Sequence, residues 1–470
     1  MTGIIESDMK TLDRILAVDD NFDIIKRDIR IGGRSAAVYF IDGYCKEAVA
    51  QKLLEFLIKL TPQEIKQART PEDFLSMYMP YTEVTAIADA EPAVTQVLSG
   101  QMLILIDGYC SAFAVDTREY PTRGITEPEK DRSLRGARDS FCETLVSNTA
   151  LIRRRIRDPK LRMEYVQIGG KTKLDLCICY IEGEASEKAL SGLRRRLKEV
   201  RVNAISMTSE ALAEALVPAS FFNPLPRIKY TERPDYASAC VMEGRIALVM
   251  DNSPSVMIFA TDFTDFMRDA DDYYFPPLTA SYVRFSRLIV SVLTVFLTPT
   301  VLLFNLNQQW IPGWLEFIKP AKEVTMPLIA QFLILEFVID GLRLASINTP
   351  TTMSNSLGII GGLLLSDFAV AAGWFAPDTI VYISFVAIAS YAQPSLEMGY
   401  AMKFARVLLL FLVQFFSLWG LIGGTALFIL MLICTRTLGG FGYFKPFVPF
   451  SIKGIAKLCI RTRLKNGGDE

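Results

Sequence analysis

The chain has 470 residues with 50 Lys and Arg against 51 Asp and Glu, so its net charge of −1 offers no field for nucleic acid, and a nucleic-acid partner is excluded. It contains no histidine, which removes the commonest general base, metal ligand and pH switch, and eight scattered cysteines form neither a CxxC pair nor a zinc spacing. Neither an enzyme nor a cofactor is therefore expected, and the cysteines read as free thiols of a reducing compartment.

Charges are dense from Met1 to about Tyr282 and nearly vanish from Arg287 to Cys434. The expected architecture is an α/β cytosolic region of two duplicated lobes followed by an all-α transmembrane bundle. Residues 1–27 read as an N-terminal extension, without the apolar stretch of a signal peptide. The first lobe is set at 28–117. In it Ile31-Gly32-Gly33-Arg34 leads into a run ending Tyr39-Phe40-Ile41-Asp42-Gly43, and an amphipathic helix follows near Ala48–Leu60. Gly100 then opens QMLILIDGYCSAFAV, a strand, a turn at Asp107-Gly108 and a second strand.

Residues 118–162 read as a linker and a long connecting helix over Arg138–Leu161. That helix carries a basic cluster, Arg153, Arg154, Arg155 and Arg157. A solvated or salt-bridged face and a contact with lipid headgroups both account for such a cluster.

The second lobe, set at 163–282, repeats the first in the same order. Ile168-Gly169-Gly170-Lys171 precedes a run ending Cys179-Tyr180-Ile181-Glu182-Gly183, and a helix follows near Glu187–Glu199. Gly244 opens RIALVMDNSPSVMIF, which aligns without a gap on the segment after Gly100. Glycines at strand turns explain the paired IGG motifs, since neither a GxxxxGK[ST] nor a helix-opening GxGxxG is present. Cys177 and Cys179 alternate along an apolar run and are expected in the core on one strand face.

The transmembrane domain is set at 283–436. Spans are expected at Leu288–Leu306, with Pro299 kinking it, and at Met326–Ala345, Leu357–Phe375 and Phe404–Cys434. Ile380–Tyr391 is too short to cross and reads as re-entrant. The tail, 437–470, is basic and belongs inside by the positive-inside rule, so both ends lie inside and four crossings are the simplest solution; six is the alternative.

Ionisable residues inside spans are costly and mark function by default. Glu336, Asp340 and Arg343 share the second span, as an ion pair fixing the bundle or as a charged gate along an ion path. On the third span Ser356, Ile360, Leu363 and Asp367 fall on one stripe, as packing residues or as the lining of a cation pore with a hydrophobic gate. A pore would require a ring of subunits.

Several longer motifs carry a resemblance. Arg135-Gly136-Ala137-Arg138-Asp139, the run Asn148–Asp158 (NTALIRRRIRD), Tyr230–Asp235 (YTERPD), Glu243-Gly244-Arg245 with Asp251-Asn252-Ser253-Pro254, and Asp271-Asp272-Tyr273-Tyr274 resemble the GerA family, the A subunits of bacterial spore germinant receptors. DNSPSVM at 251–257, ADDYYFPP at 270–277, ILEFVIDGLRL at 334–344 and FVAIASYAQP at 385–394 look closer to a stage V sporulation branch than to a nutrient-receptor subunit. The resemblance implies a multi-pass protein of the spore inner membrane, in contact with membrane lipid and other germination proteins. It further implies a homo-oligomer, a pentamer, that opens as an ion channel for monovalent cations. The alternatives are a nutrient receptor A subunit acting with B and C partners and a non-conducting scaffold.

Overall fold

A computed structural model describes residues 1–119, 137–169, 173–200, 208–217, 222–319, 324–348, 369–438 and 442–460. The chain forms two compact units, one of residues 1–218, 227–261 and 437–441, the other of the remainder.

The first unit holds two five-stranded antiparallel sheets. Sheet one comprises β1 (Ile24–Ile31), β2 (Arg34–Ile41), β3 (Val84–Ile87), β4 (Met102–Ile106) and β5 (Ala112–Val115), in the order β1-β2-β4-β5-β3. Sheet two comprises β6 (Leu161–Ile168), β7 (Leu174–Ile181), β8 (Lys229–Thr231), β9 (Ile246–Met250) and β10 (Val256–Phe259), in the order β6-β7-β9-β10-β8. Position for position the two orders are the same.

The shared glycines explain part of this. Gly32 and Gly33 form the two-residue turn between Ile31 and Arg34, with φ of 53° and 81°, the left-handed pair that a tight hairpin of right-twisted strands requires. Gly100 and Gly244 end the helices before β4 and β9 with φ of 94° and 81°. A Cβ on Gly244 would lie 2.7 Å from the Glu184 carbonyl oxygen.

Five helices accompany sheet one: α1 (Ile5–Leu16), α2 (Glu47–Ile58), α3 (Pro62–Gln67), α4 (Pro71–Tyr78) and α5 (Ala90–Leu98). Leu12 and Leu16 of α1 pack with Ile24, Tyr39, Val97 and Leu103 in one core. Residues 1–27 are thus part of the first lobe and not an extension, because α1 covers a sheet face that would otherwise be wet.

The connecting helix α6 spans only Leu145–Arg155, shorter than expected, since Leu161 already starts β6. The helices α7 (Glu187–Glu199), α8 (Thr208–Leu216) and α9 (Pro234–Met242) complete lobe two, whose core joins Leu176, Ile178, Leu193, Leu212, Leu248 and Phe259. Cys177 and Cys179 are fully buried on one face of β7, with sulfurs 3.5 Å apart. The stretch of the first unit that holds lobe two ends at Thr261, short of the expected 282.

The second unit is helical. After α10 (Phe263–Met267) come α11 (Pro277–Leu306), α12 (Leu328–Asn348), α13 (Pro377–Tyr391), α14 (Leu396–Cys434) and α15 (Ile452–Cys459). Among the described residues two helices, α11 and α14, are long and apolar enough to cross a membrane, not four. α12 has the length, but its three charges lower its apolar content, and most of Leu357–Phe375 lies outside the described residues. α11 begins eleven residues before the expected Leu288 and stays helical through Pro299.

α14 corrects a second expectation, that residues 404–434 form one crossing. The chain reverses at Ser417 (φ 50°, ψ −126°), and the arms 396–416 and 418–434 pack against each other. At this reversal the arms touch: a Cβ on Gly424 would lie 2.6 Å from a Leu409 methyl, and one on Gly420 would overlap the Leu412 carbonyl. Glycine permits that approach, as small residues do between membrane helices. Further along, Leu432 joins the cluster of Met398, Ala401, Met402 and Ala405.

Candidate functional site

Within the helical unit, α12 and the first arm of α14 run antiparallel with their charged residues facing. Glu336 and Asp340 are one turn apart on α12, as are Lys403 and Arg406 on α14, so each helix presents two like charges on one face. The helices gain by meeting because the signs are opposite.

Arg406 is the centre of the arrangement. It is 2% exposed, and its Nε donates to Glu336 Oε1 at 2.6 Å, while its Nη1 donates to the Thr294 backbone carbonyl of α11 at 2.7 Å. Glu336 is 5% exposed. Lys403 lies 3.3 Å from Glu336 Oε2 and also pairs with Asp340. The network therefore ties three helices, with a buried carboxylate shared between two cations. Two charges withdrawn from water persist only when paired this closely and hydrogen-bonded further, and removing one partner strands the other at a cost of about 3–5 kcal/mol.

Asp340 and Arg343, one turn apart on α12, turn to different partners. Asp340 is half-buried and turns to Lys403. The Arg343 guanidinium stands 4.4 Å from the ring centre of Tyr391 and 5.4 Å from that of Tyr400, positions at which the ring quadrupoles attract a cation. Asp340, Arg343, Tyr400 and Lys403 line a cleft together with Ile339, Ile383, Ser390 and Gly399. Nearby, Ser291 of α11 and Gln393 exchange hydrogen bonds at 3.1 and 2.9 Å.

Lys403 and Arg406 were not among the sequence candidates. The signal was there: two basic residues three apart at the head of a long apolar run match two acids four apart in another. The expected stripe Ser356, Ile360, Leu363 and Asp367 lies outside the described residues.

The basic cluster of α6 does not form one solvated or lipid-facing surface. Arg153 is fully buried and grips Asp23 with both Nε (2.9 Å) and Nη2 (3.0 Å), while its Nη1 reaches the Leu161 carbonyl at 3.3 Å. Burial works against its charge, yet the Asp23 carboxylate outweighs burial and raises its pKa above the usual arginine value. Asn21 Oδ1 accepts from the Met163 backbone N–H at 2.6 Å, so Asn21, Asp23 and Arg153 join the start of β1 to the start of β6. Arg155 pairs with Asp139 at 2.6 Å; Arg154 and Arg157 are exposed, and Arg157 reaches Ser99 Oγ at 3.4 Å.

Residues 10–467 match the family described as Bacillus/Clostridium GerA spore germination protein. The chain belongs to the GerA family. It is 32% identical over 442 residues to Stage V sporulation protein AF of Bacillus subtilis (strain 168), covering 94% of this chain and 89% of that protein. It is 28% identical to Spore germination protein KA of the same organism, over 95% of this chain and 82% of the relative. A solved structure, the N-terminal domain of the A subunit of the Bacillus megaterium spore germinant receptor GerK3, is 27% identical and aligns with 55% of this chain and 95% of its own at a TM-score of 0.41. The GerA family motifs and the relation to the stage V protein are those read in the sequence.

Proposed function

We propose that this GerA-family chain is a subunit of an oligomeric channel in the spore inner membrane that releases monovalent cations and so promotes germination. The observation that carries the proposal is the Glu336–Arg406–Lys403–Asp340 network. Four ionisable side chains inside an apolar helical bundle are expensive to bury, and in membrane proteins such groups mark ion pathways and the hinges that gate them. Stability alone does not require them, since apolar side chains of similar volume hold helices together as well or better.

The arrangement that goes with this reading has both termini on the cytosolic side and six crossings. Two features support six. Gln331 near the start of α12 accepts from the backbone N–H of Ala376, just before α13, and Arg343 near the end of α12 meets Tyr391 at the end of α13, so the two helices run in the same direction. α13 thus begins at the same end as α12, and α14 supplies two legs instead of one. A ring of subunits, a pentamer, encloses the pore, with Ile360 and Leu363 as its hydrophobic constriction.

The test is potassium efflux from vesicles containing the purified full chain. Efflux is expected, with Ile360→Ala or Leu363→Ala leaking faster. Absence of efflux under every condition, from protein that is folded and inserted, would leave the scaffold reading standing. The family resemblance carried by the sequence motifs favours a second reading, a nutrient receptor A subunit. On that reading, deleting the nutrient-binding partner chains abolishes assembly, whereas a self-sufficient channel still assembles.

A further inference from the structure

The whole chain contains four tryptophans, Trp310, Trp314, Trp374 and Trp419, and the helical unit brings all of them to one end. Trp310 and Trp314 follow the C-terminus of α11. Trp419 sits two residues past the reversal of α14, which is held to the end of α11 by a hydrogen bond from Asn307 Nδ2 to Ser417 Oγ at 2.8 Å. Trp374 precedes α13, where the Ala376 backbone N–H donates to Gln331 Oε1 at 3.0 Å and fixes that turn to the start of α12. Ile318, just past Trp314, packs with Val301, Phe332, Phe375 and Val413, which closes the same end.

None of the four is used as core. They are 44%, 77%, 62% and 77% exposed, and Phe415 and Phe416 beside Trp419 are 77% and 62% exposed. Large aromatic side chains left outward on three separate segments at one level are not a packing remainder. An indole suits a boundary, with an apolar ring and one N–H that wants a polar partner.

The charges complete the pattern. Arg284 and Arg287 stand in the first turns of α11, at the other end of the bundle from the tryptophans; the described charges at the tryptophan end include Lys319, which is neutralised by Glu316 at 2.8 Å. From Arg287 to Leu306 an α-helix rises about 29 Å, close to the roughly 30 Å of a hydrocarbon core. Cationic side chains at one face and tryptophans at the other, one bilayer apart, are what a helix bundle fixed at both interfaces presents.

We propose that the four tryptophans form one interfacial anchor, seated in the headgroup region of the lipid bilayer at the non-cytosolic face. The anchor sets the depth of the bundle in the membrane. It does not depend on whether the protein conducts ions.

These tryptophans are the only indoles in the molecule, so intrinsic fluorescence reports on that end alone. The full chain is reconstituted into vesicles of phosphatidylglycerol and phosphatidylethanolamine, some carrying lipids brominated near the headgroup and others near the chain end. The expected result is blue-shifted emission that is lost mainly to the shallow bromine. Four single-tryptophan chains, with the other three changed to phenylalanine, are each expected to do the same. Stronger loss to the deep bromine would overturn the proposal. So would emission indifferent to both lipids, whether it is quenched by aqueous iodide, as a solvated end would be, or protected from it, as a contact with a second copy would be.

Discussion

Arg153→Met tests the junction of the two lobes. Arg153 and Asp23 have side chains 0% and 2% exposed, and the arginine makes two bonds to the carboxylate and one to the Leu161 carbonyl. The substitution leaves Asp23 buried without its counter-charge, which costs about 3–5 kcal/mol. Helix α6, which carries Arg153, packs against β7, where Cys177 and Cys179 lie fully buried. Burial raises the Cys177 pKa, and both thiols are shut away from reagent until the helix lifts. If lifting is a pre-equilibrium to labelling, reaction of these two cysteines rises roughly a hundredfold to a few thousandfold, at a factor of ten per 1.4 kcal/mol.

The assay is peptide-resolved thiol alkylation of the full chain in detergent. Cys110 and Cys434 are exposed and act as internal controls that should not change. The double variant Asp23→Leu/Arg153→Met removes both charges and should recover much of the protection. Unchanged labelling in Arg153→Met would refute the reasoning, and so would a double variant as labile as the single one, since the loss would then not come from a stranded carboxylate.

Three further outcomes follow from the geometry. Arg406→Met strands Glu336 in the helical unit and should lower the melting temperature in detergent, by a loss of about 3–5 kcal/mol; Glu336→Leu in the same chain should restore much of it. Gly244→Ala puts a Cβ against the Glu184 carbonyl at a φ of 81° and should destabilise the first unit by about 1 kcal/mol or more, read as faster labelling of the buried Cys240. Glu164 is half-buried; burial opposes its charge, but hydrogen bonds from Arg194 and Tyr180 outweigh burial and hold its pKa below the ordinary carboxylate value. The folded pKa being the lower one, its stabilisation is present above the unfolded pKa and is lost as pH falls through the folded value. Glu164→Gln should flatten that acid limb of a stability profile, and an unchanged limb would show that other carboxylates govern it.

The sheets were legible because the information is local. Alternating apolar residues bounded by glycine specify a hairpin without help from the rest of the chain, and the same glycines recur: Gly32 with Gly169, Gly100 with Gly244, all at positive φ. The role of Arg153 was not legible for the opposite reason. Four arginines within five residues read as a surface, and what buries one of them is Asp23, 130 positions away. No period or spacing in the run itself distinguishes Arg153 from Arg154.

The helical unit shows the same division more sharply. Apolar composition marks a membrane-length segment but carries no direction, because a helix is equally apolar read either way. At Ser417 the chain turns back with neither Pro nor Gly at the turning residue, within a run that composition reads as continuous, so the reversal could only be seen in contacts such as that of Gly424 with Leu409. The fold-back allows Asn307 to hold the turn and brings Trp419 level with Trp310, and it changes the parity on which any topology rests. Counting apolar runs therefore undercounts legs wherever a small residue lets two arms pack. Charge pairing is the better guide: Glu336 and Asp340 had to find cations at their own depth, and in the described helices facing α12 those are Lys403 and Arg406. Because an acid withdrawn from water is costly unless a base meets it at the same level, matching the two kinds of residue along the chain favours setting α12 against α14.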